Sequence, residues 1–164
     1  MEIERKFLLR TVPKDLNSYQ FHIIEQAYLN TDPVIRIRKE DENYYLTYKG
    51  KGLIAREEYN LPLNETSYFH MKEKADGNII SKKRYLIPLE NPKFDTSLDL
   101  DLKPDNLLIE LDEFFSPFAP LLMAEVEFAT EEAAQAFLPP EWFGEEVTMN
   151  VLYHNSNMSK RTVL

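Results

Sequence analysis

Glu2, Glu4 and Lys6 stand at alternate positions near the start of the chain, and alternate positions on a β-strand project from one face. The same spacing recurs in Arg36/Arg38, Arg56/Glu58/Asn60, Lys82/Arg84, Glu110/Asp112 and Glu125/Glu127, while Lys49 closes the run Tyr45-Leu46-Thr47-Tyr48. Between them lie apolar residues such as Ile3, Ile35, Ile37, Tyr85, Ile109, Leu111 and Val126. A strand with one charged and one apolar face ordinarily turns its charges to water. The sorting by sign argues for something else. On an exposed sheet like-charge neighbours gain nothing, whereas cross-strand pairs of opposite charge are stabilising. Paired carboxylates offer the hard oxygens that a divalent cation needs. Paired arginines grip phosphate through parallel hydrogen bonds. Both together are chemistry for a phosphoanhydride.

The elements that must position these residues read mostly in period 2. Strands are expected over Glu2–Leu9, Ile23–Asn30, Val34–Glu40, Asn43–Tyr48 running on to Lys49, Ala55–Leu63, Asn78–Leu89, Leu98–Leu102, Leu107–Phe114 and Met123–Ala129. Turn residues separate them, as in Asn30-Thr31-Asp32-Pro33 and Gly50-Lys51-Gly52. Short strands at this spacing predict a mainly β (α+β) fold, an antiparallel barrel or sandwich. Helices are expected over Glu65–Ala75, with Tyr68, Phe69 and Met71 facing a core, and over Glu131–Leu138, capped by Thr130. A weaker helical signal covers Asn155–Thr162. If the sheet closes on itself, the charged faces line a wet interior and the helices cover the apolar exterior.

Composition bounds the alternatives. At 164 residues the chain reads as one domain over 1–164, and 43% apolar residues suffice for a core. A net charge of −9 argues against non-specific nucleic-acid or anionic-membrane binding. With no cysteine there is no disulfide, thiolate metal site or Cys nucleophile. Four glycines and no Gly-rich phosphate loop disfavour a dinucleotide or P-loop site. His22, His70 and His154 are scattered and read as surface or packing residues. Nothing approaches a membrane span, and the charged opening Met-Glu-Ile-Glu-Arg-Lys argues against an export signal, so a cytoplasmic protein is expected.

Glu2-Ile3-Glu4-Arg5-Lys6 resembles the E-x-E-x-K motif of the CYTH superfamily, the triphosphate tunnel metalloenzymes. The resemblance extends in order through Ile35-Arg36-Ile37-Arg38, Thr47-Tyr48-Lys49, Arg56-Glu57-Glu58-Tyr59, Lys82-Lys83-Arg84-Tyr85, Glu110-Leu111-Asp112, Glu125-Val126-Glu127-Phe128 and the segment Trp142–Thr148. It implies an eight-stranded antiparallel tunnel that binds triphosphate with Mg²⁺ or Mn²⁺. It further implies Lys6, Arg36, Arg38, Lys49, Arg56, Lys82 and Arg84 as the phosphate-binding wall. Glu2, Glu4, Asp112, Glu125 and Glu127 are implied as metal ligands, and Glu4, Glu58, Lys6 and Arg56 as catalytic. Most short bacterial members similar to this chain hydrolyse inorganic tripolyphosphate; relatives include adenylyl cyclases, thiamine triphosphatase and fungal RNA triphosphatases. Two departures stand out. Asn60 occupies a position where many relatives carry glutamate, and the C-terminal Met149–Asn155 segment keeps Tyr153 and Asn155 but lacks the basic residues. The expected activity is metal-dependent hydrolysis of inorganic tripolyphosphate to diphosphate and phosphate. Competing readings are another triphosphatase or a cyclase on the same scaffold, and a non-catalytic polyphosphate- or nucleotide-binding module.

Overall fold

The computed structural model describes residues 1–162. Its strands are β1 (Glu2–Leu9), β2 (Phe21–Thr31), β3 (Val34–Glu40), β4 (Asn43–Lys49), β5 (Ala55–Arg56), β6 (Glu58–Leu63), β7 (Asp76–Glu90), β8 (Lys93–Phe94), β9 (Asn106–Phe114), β10 (Leu122–Glu127), β11 (Phe137–Leu138) and β12 (Phe143–Glu146). The helices are α1 (Glu65–Lys72), α2 (Glu131–Ala136) and α3 (Asn155–Met158). In the main sheet the order runs β1-β10-β9-β7-β2-β3-β4-β6, all neighbours antiparallel.

The ring closes at a single break. The expected strand Ala55–Leu63 is interrupted at Glu57: β6 stays on β4, while β5 crosses to β1, pairing Glu2 with Arg56 and Ile3 with Ala55. Counting β5 and β6 as one position gives eight positions around an antiparallel barrel. β12 takes the far half of β1, outside that circuit. β8 and β11 form a separate two-stranded ribbon.

One expected element is absent. Leu98–Leu102 alternates like a strand, but Leu100–Leu102 forms a single 3-10 turn, with the Asp99 side chain accepting from the Asp101 N–H. Aspartates that bond nearby backbone compete with ladder pairing, and Leu100, 77% exposed, has no sheet face to join. The short β8, β11 and β12 carry too few residues for a period to show.

The barrel is inside out relative to an ordinary sheet protein. Apolar faces point outward and are covered. Ile3, Phe7, Tyr85, Ile109, Leu111, Ala124 and Val126 pack against Ala133, Ala134, Ala136 and Phe137 from α2 and its exit, together with Phe143. The Thr130 hydroxyl accepts from the Ala133 N–H at 3.1 Å, and Glu131 and Glu132 sit in the first turn, where the helix dipole favours them. On the other side α1 buries Tyr68 against Ala27 and Ile37. Met71 is partly buried there, but Phe69 turns outward at 43% exposure, because an eight-residue helix has room for one narrow stripe.

A third cluster lies inside the ring. Val34, Ile80, Phe114 and Met123 follow the charged residues along the same strand faces and meet Tyr28, Val147 and Met158. This apolar floor converts the barrel into a cavity closed at one end.

Candidate active site

Because the ring is closed, the alternate residues picked out by period 2 converge on one cavity of about 160 Å³. All seven predicted cations line it: Lys6, Arg36, Arg38, Lys49, Arg56, Lys82 and Arg84. So do the carboxylates Glu2, Glu4, Glu58, Glu110, Glu125 and Glu127. Glu110 joins the wall although its share in the chemistry was not assigned from sequence.

Asp112 is placed differently. It is fully buried behind the cationic wall, where Lys82 Nζ donates to one oxygen at 2.6 Å and the Arg84 guanidinium reaches both, at 2.6 and 2.7 Å. Three of its four lone-pair directions are taken by these two cations. The sequence puts it on the same face as Glu110, but two residues further along β9 it lies one row deeper, level with Arg84 and Met123.

Inside the cavity the charges form a chain of ion pairs. Lys6 Nζ meets Glu125 at 2.6 Å and Glu4 at 2.9 Å. Lys49 Nζ meets Glu2 at 2.7 Å and Glu58 at 2.8 Å, and Arg56 meets Glu2 at 3.1 Å. Arg84 also holds Glu125 at 2.6 Å and is hydrogen-bonded to Glu110. Burial alone would lower the Lys6 pKa, but Glu125 and Glu4 outweigh it and raise the value. Burial opposes ionisation of Glu58, yet Lys49 prevails and brings it down to about 2. Lys82 goes the other way: burial, only partly offset by Asp112, brings it down to about 8.

Arg36 and Arg38 differ from the other cations. Arg36 has no carboxylate within 4 Å among the described residues; its guanidinium donates to the Thr47 hydroxyl at 3.1 Å, and its buried Nε has no partner. Arg38 points both Nε and Nη2 at the neutral Gln26 side chain, at 3.0 and 2.8 Å, with Glu40 at 3.7 Å. Burial, together with the charges of Arg36 and Arg84, brings the Arg38 pKa down to about 10. Two guanidinium groups held side by side by neutral partners form a site in want of an anion.

The carboxylates are unevenly matched as well. Among the described residues no three carboxylates or histidines converge in the manner of a preformed metal site, since nearly every inward carboxylate is turned to a lysine or arginine. Glu127 is the exception: burial and then Glu2, Glu110, Glu4 and Glu58 raise its pKa, so negative charge accumulates at this end. Hard carboxylate oxygens in excess fit a divalent cation.

Sequence reasoning passed over the neutral members. Gln26 and Thr47 carry no charge to sort, yet both are fully buried and aim the two arginines. Asn60 extends this relay: the Thr47 hydroxyl donates to Asn60 Oδ1 at 2.6 Å, and Asn60 Nδ2 donates to Glu58 at 2.7 Å. An asparagine there links the arginine wall to a carboxylate, which a second glutamate could not do by donation. Tyr28, His154, Asn155 and Ser156 also line the cavity. The available signal was register: Tyr28 lies opposite Arg36 across the β2–β3 pair.

A model of the CYTH domain matches residues 1–147, the span that contains every charged residue of the cavity. The chain belongs to the CYTH family. An inorganic triphosphatase of Nitrosomonas europaea is 37% identical over 163 residues, with 96% of each chain covered. One from Acetivibrio thermocellus is 29% identical over 167 residues, covering 97% of this chain and 93% of that one. A crystal structure of an inorganic triphosphatase superposes with a TM-score of 0.68 at 34% identity, covering 99% of this chain and 96% of that one. The closed antiparallel barrel described above is thus the fold of this family. No helix among the described residues is long and apolar enough to cross a membrane.

Proposed function

We propose that this CYTH protein hydrolyses inorganic tripolyphosphate to diphosphate and phosphate, with Mg²⁺ or Mn²⁺ as cofactor. The observation that carries the reading is the Arg36–Arg38 pair, hydrogen-bonded to neutral side chains and with no carboxylate nearer than Glu40, 3.7 Å from Arg38, inside a cavity that five further cations line. The inorganic triphosphatases among its relatives support the same substrate class.

The residues divide the work by charge. Arg36 and Arg38 bind phosphate oxygens first, since Arg36 has no ion pair to break among the described residues and Arg38 has one long contact, to Glu40 at 3.7 Å. Lys6, Lys49, Arg56, Lys82 and Arg84 complete the wall and stabilise charge on the non-bridging and leaving oxygens, the dominant contribution in phosphoryl transfer. A polyanion that takes over Lys49, Arg56 and Lys6 releases Glu2, Glu4 and Glu125 from their salt bridges. With Glu127 these carboxylates would hold the divalent cation, which supplies charge at the phosphate oxygens and acidifies a water. Substrate and metal thereby favour each other's binding. Asp112 serves this wall as a support for Lys82 and Arg84 rather than as a metal ligand. Glu58 is a weak base while Lys49 holds it, and becomes a better proton acceptor once phosphate draws Lys49 away. The same proposal makes a small triphosphate the partner, with no nucleic acid, and places the protein in the cytoplasm.

The test is phosphate release from tripolyphosphate, ATP, thiamine triphosphate and diphosphate with Mg²⁺, Mn²⁺ or EDTA. The expected result is metal-dependent release from tripolyphosphate, well above the others. Faster release from ATP or thiamine triphosphate would reassign the substrate, and tight binding without turnover would leave a binding module.

A further inference from the structure

Two arginines of the cavity are gripped along the same edge by the residue directly opposite them on the neighbouring strand. Arg84 faces Asp112 across the β7–β9 pair, and its Nε and Nη2 donate to the two carboxylate oxygens at 2.6 and 2.7 Å. Arg38 faces Gln26 across the β2–β3 pair, and its Nε and Nη2 converge on the single amide oxygen at 3.0 and 2.8 Å. The geometry is repeated and the charge is not. Asp112 neutralises the guanidinium that it holds, whereas Gln26 holds one and leaves its charge unmatched.

Gln26 is fixed in that role. It is fully buried opposite Ile80 of β7, and its Nε2 donates to the Tyr28 hydroxyl at 3.2 Å. Turning the amide over would set its NH2 group against the guanidinium, so one orientation alone serves both neighbours. Among the described residues the one carboxylate within 4 Å of Arg38 is Glu40, at 3.7 Å from Nη1, which leaves Nη1 without a hydrogen-bond acceptor. The arrangement costs stability, because a buried cation without a close counter-charge is unfavourable. Burial, and then Arg36 and Arg84, accordingly bring the Arg38 pKa down to about 10. Stability alone would favour a carboxylate at position 26, as at position 112.

We propose that Gln26 is a positioning residue for substrate binding: it aims Arg38 into the cavity and, by being neutral, keeps that guanidinium free to pair with a phosphoryl oxygen. The inference rests on the triphosphate reading above and deepens it, since it assigns part of the affinity to a side chain that acts only through Arg38. A glutamate at the same place would take the Nε–Nη2 edge as Asp112 takes that of Arg84. Phosphate would then meet a guanidinium whose charge is already matched, and the remaining N–H groups would attract it less.

Wild type, Gln26→Glu, Gln26→Met and Glu40→Gln are compared by calorimetry of tripolyphosphate binding in EDTA, by kcat and KM under metal, and by thermal melts. EDTA keeps any effect of an added carboxylate on metal binding out of the calorimetry. Gln26→Glu should hold or raise the Tm, because a buried guanidinium gains a counter-charge, and yet weaken binding and raise KM by about ten- to a hundredfold. Gln26→Met, similar in length but without the acceptor, should lower the Tm and raise KM by about three- to tenfold. Glu40→Gln should bind as tightly as wild type or up to about threefold tighter, since the lost contact is long and partly exposed. Affinity that falls while the Tm holds or rises is a result that a merely structural residue would not give. Unchanged affinity and KM in either folded Gln26 variant, a Tm of Gln26→Glu well below wild type, or weaker binding by Glu40→Gln would overturn the proposal. A wild type that neither binds nor hydrolyses tripolyphosphate would instead overturn the triphosphate reading.

Discussion

Replacing Asp112 by asparagine removes a negative charge from the point where two buried cations meet. Asp112 and Lys82 are both fully buried, with the Lys82 amine and the Arg84 guanidinium 2.6–2.7 Å from the carboxylate. Arg84 keeps Glu110 and Glu125, but Lys82 has no other carboxylate within 4 Å among the described residues. Stranding one partner of a buried pair costs about 3–5 kcal/mol. Lys82 limits the loss, because burial already brings its pKa down to about 8, and without Asp112 it can shed its proton at neutral pH. The lower end of the range, about 3 kcal/mol, is therefore expected, or a Tm lower by roughly 6–12 °C for a chain of this size. Thermal unfolding by circular dichroism at pH 7 measures it. Adding Lys82→Met to Asp112→Asn should recover part of the loss, since the orphaned amine is then replaced by an apolar side chain of similar length. The half-saturating metal concentration should stay where it is in wild type. A Tm within 2 °C of wild type, combined with a metal requirement raised tenfold or more, would refute this reasoning and make Asp112 a metal ligand.

Arg36→Ala should raise the KM for tripolyphosphate by one to two orders of magnitude while leaving the Tm nearly unchanged, because no carboxylate loses a partner; steady-state kinetics beside a melt separates the two. Glu4→Ala should abolish metal-dependent phosphate release yet keep the fold, as Lys6 retains Glu125; turnover at the wild-type rate would sink the metal assignment. Folding holds Asp112 and Glu58 below their ordinary values, burial being outweighed by Arg84 and Lys82 in the first and by Lys49 in the second. Both contribute stability that is present above the ordinary carboxylate range and is lost as pH falls through the lowered values, about 2 for Glu58, so a series of melts from pH 7 downward would register a decline that begins below about pH 4.5. Phe137→Ala, in the outer core, should cost about 3–5 kcal/mol with the KM of the surviving fold unaltered; a changed KM would mean that the outer layer couples to the cavity.

Most of the strands were legible because charged and apolar residues alternate along much of each. β1, β3 and β4 begin and end at the residues that alternation picks out, and β7 and β9 extend it by one or two. Leu98–Leu102 shows where the rule stops: alternation without a neighbouring strand leaves the aspartates free to bond their own backbone, and a turn forms. The charged site residues were legible from sorting by sign. Gln26 and the part Thr47 plays were not, since a neutral polar residue on a strand looks the same whether it faces water or aims an arginine.

Sequence by itself determined that each strand has two unlike faces and that carboxylates and cations are grouped along them, because both follow from side-chain alternation and residue type. Which face is inside is a property of no single strand. It was decided when β5 crossed to β1 and closed the ring, and when α1 and α2 covered the apolar exterior. Closure also set the partners. Lys49 reaches Glu2 from 47 residues away, and Asp112 lies level with Arg84 while Glu110 lies one row nearer the mouth, because strand register fixes which rows share a level. Long-range geometry of that kind leaves no local trace in the chain.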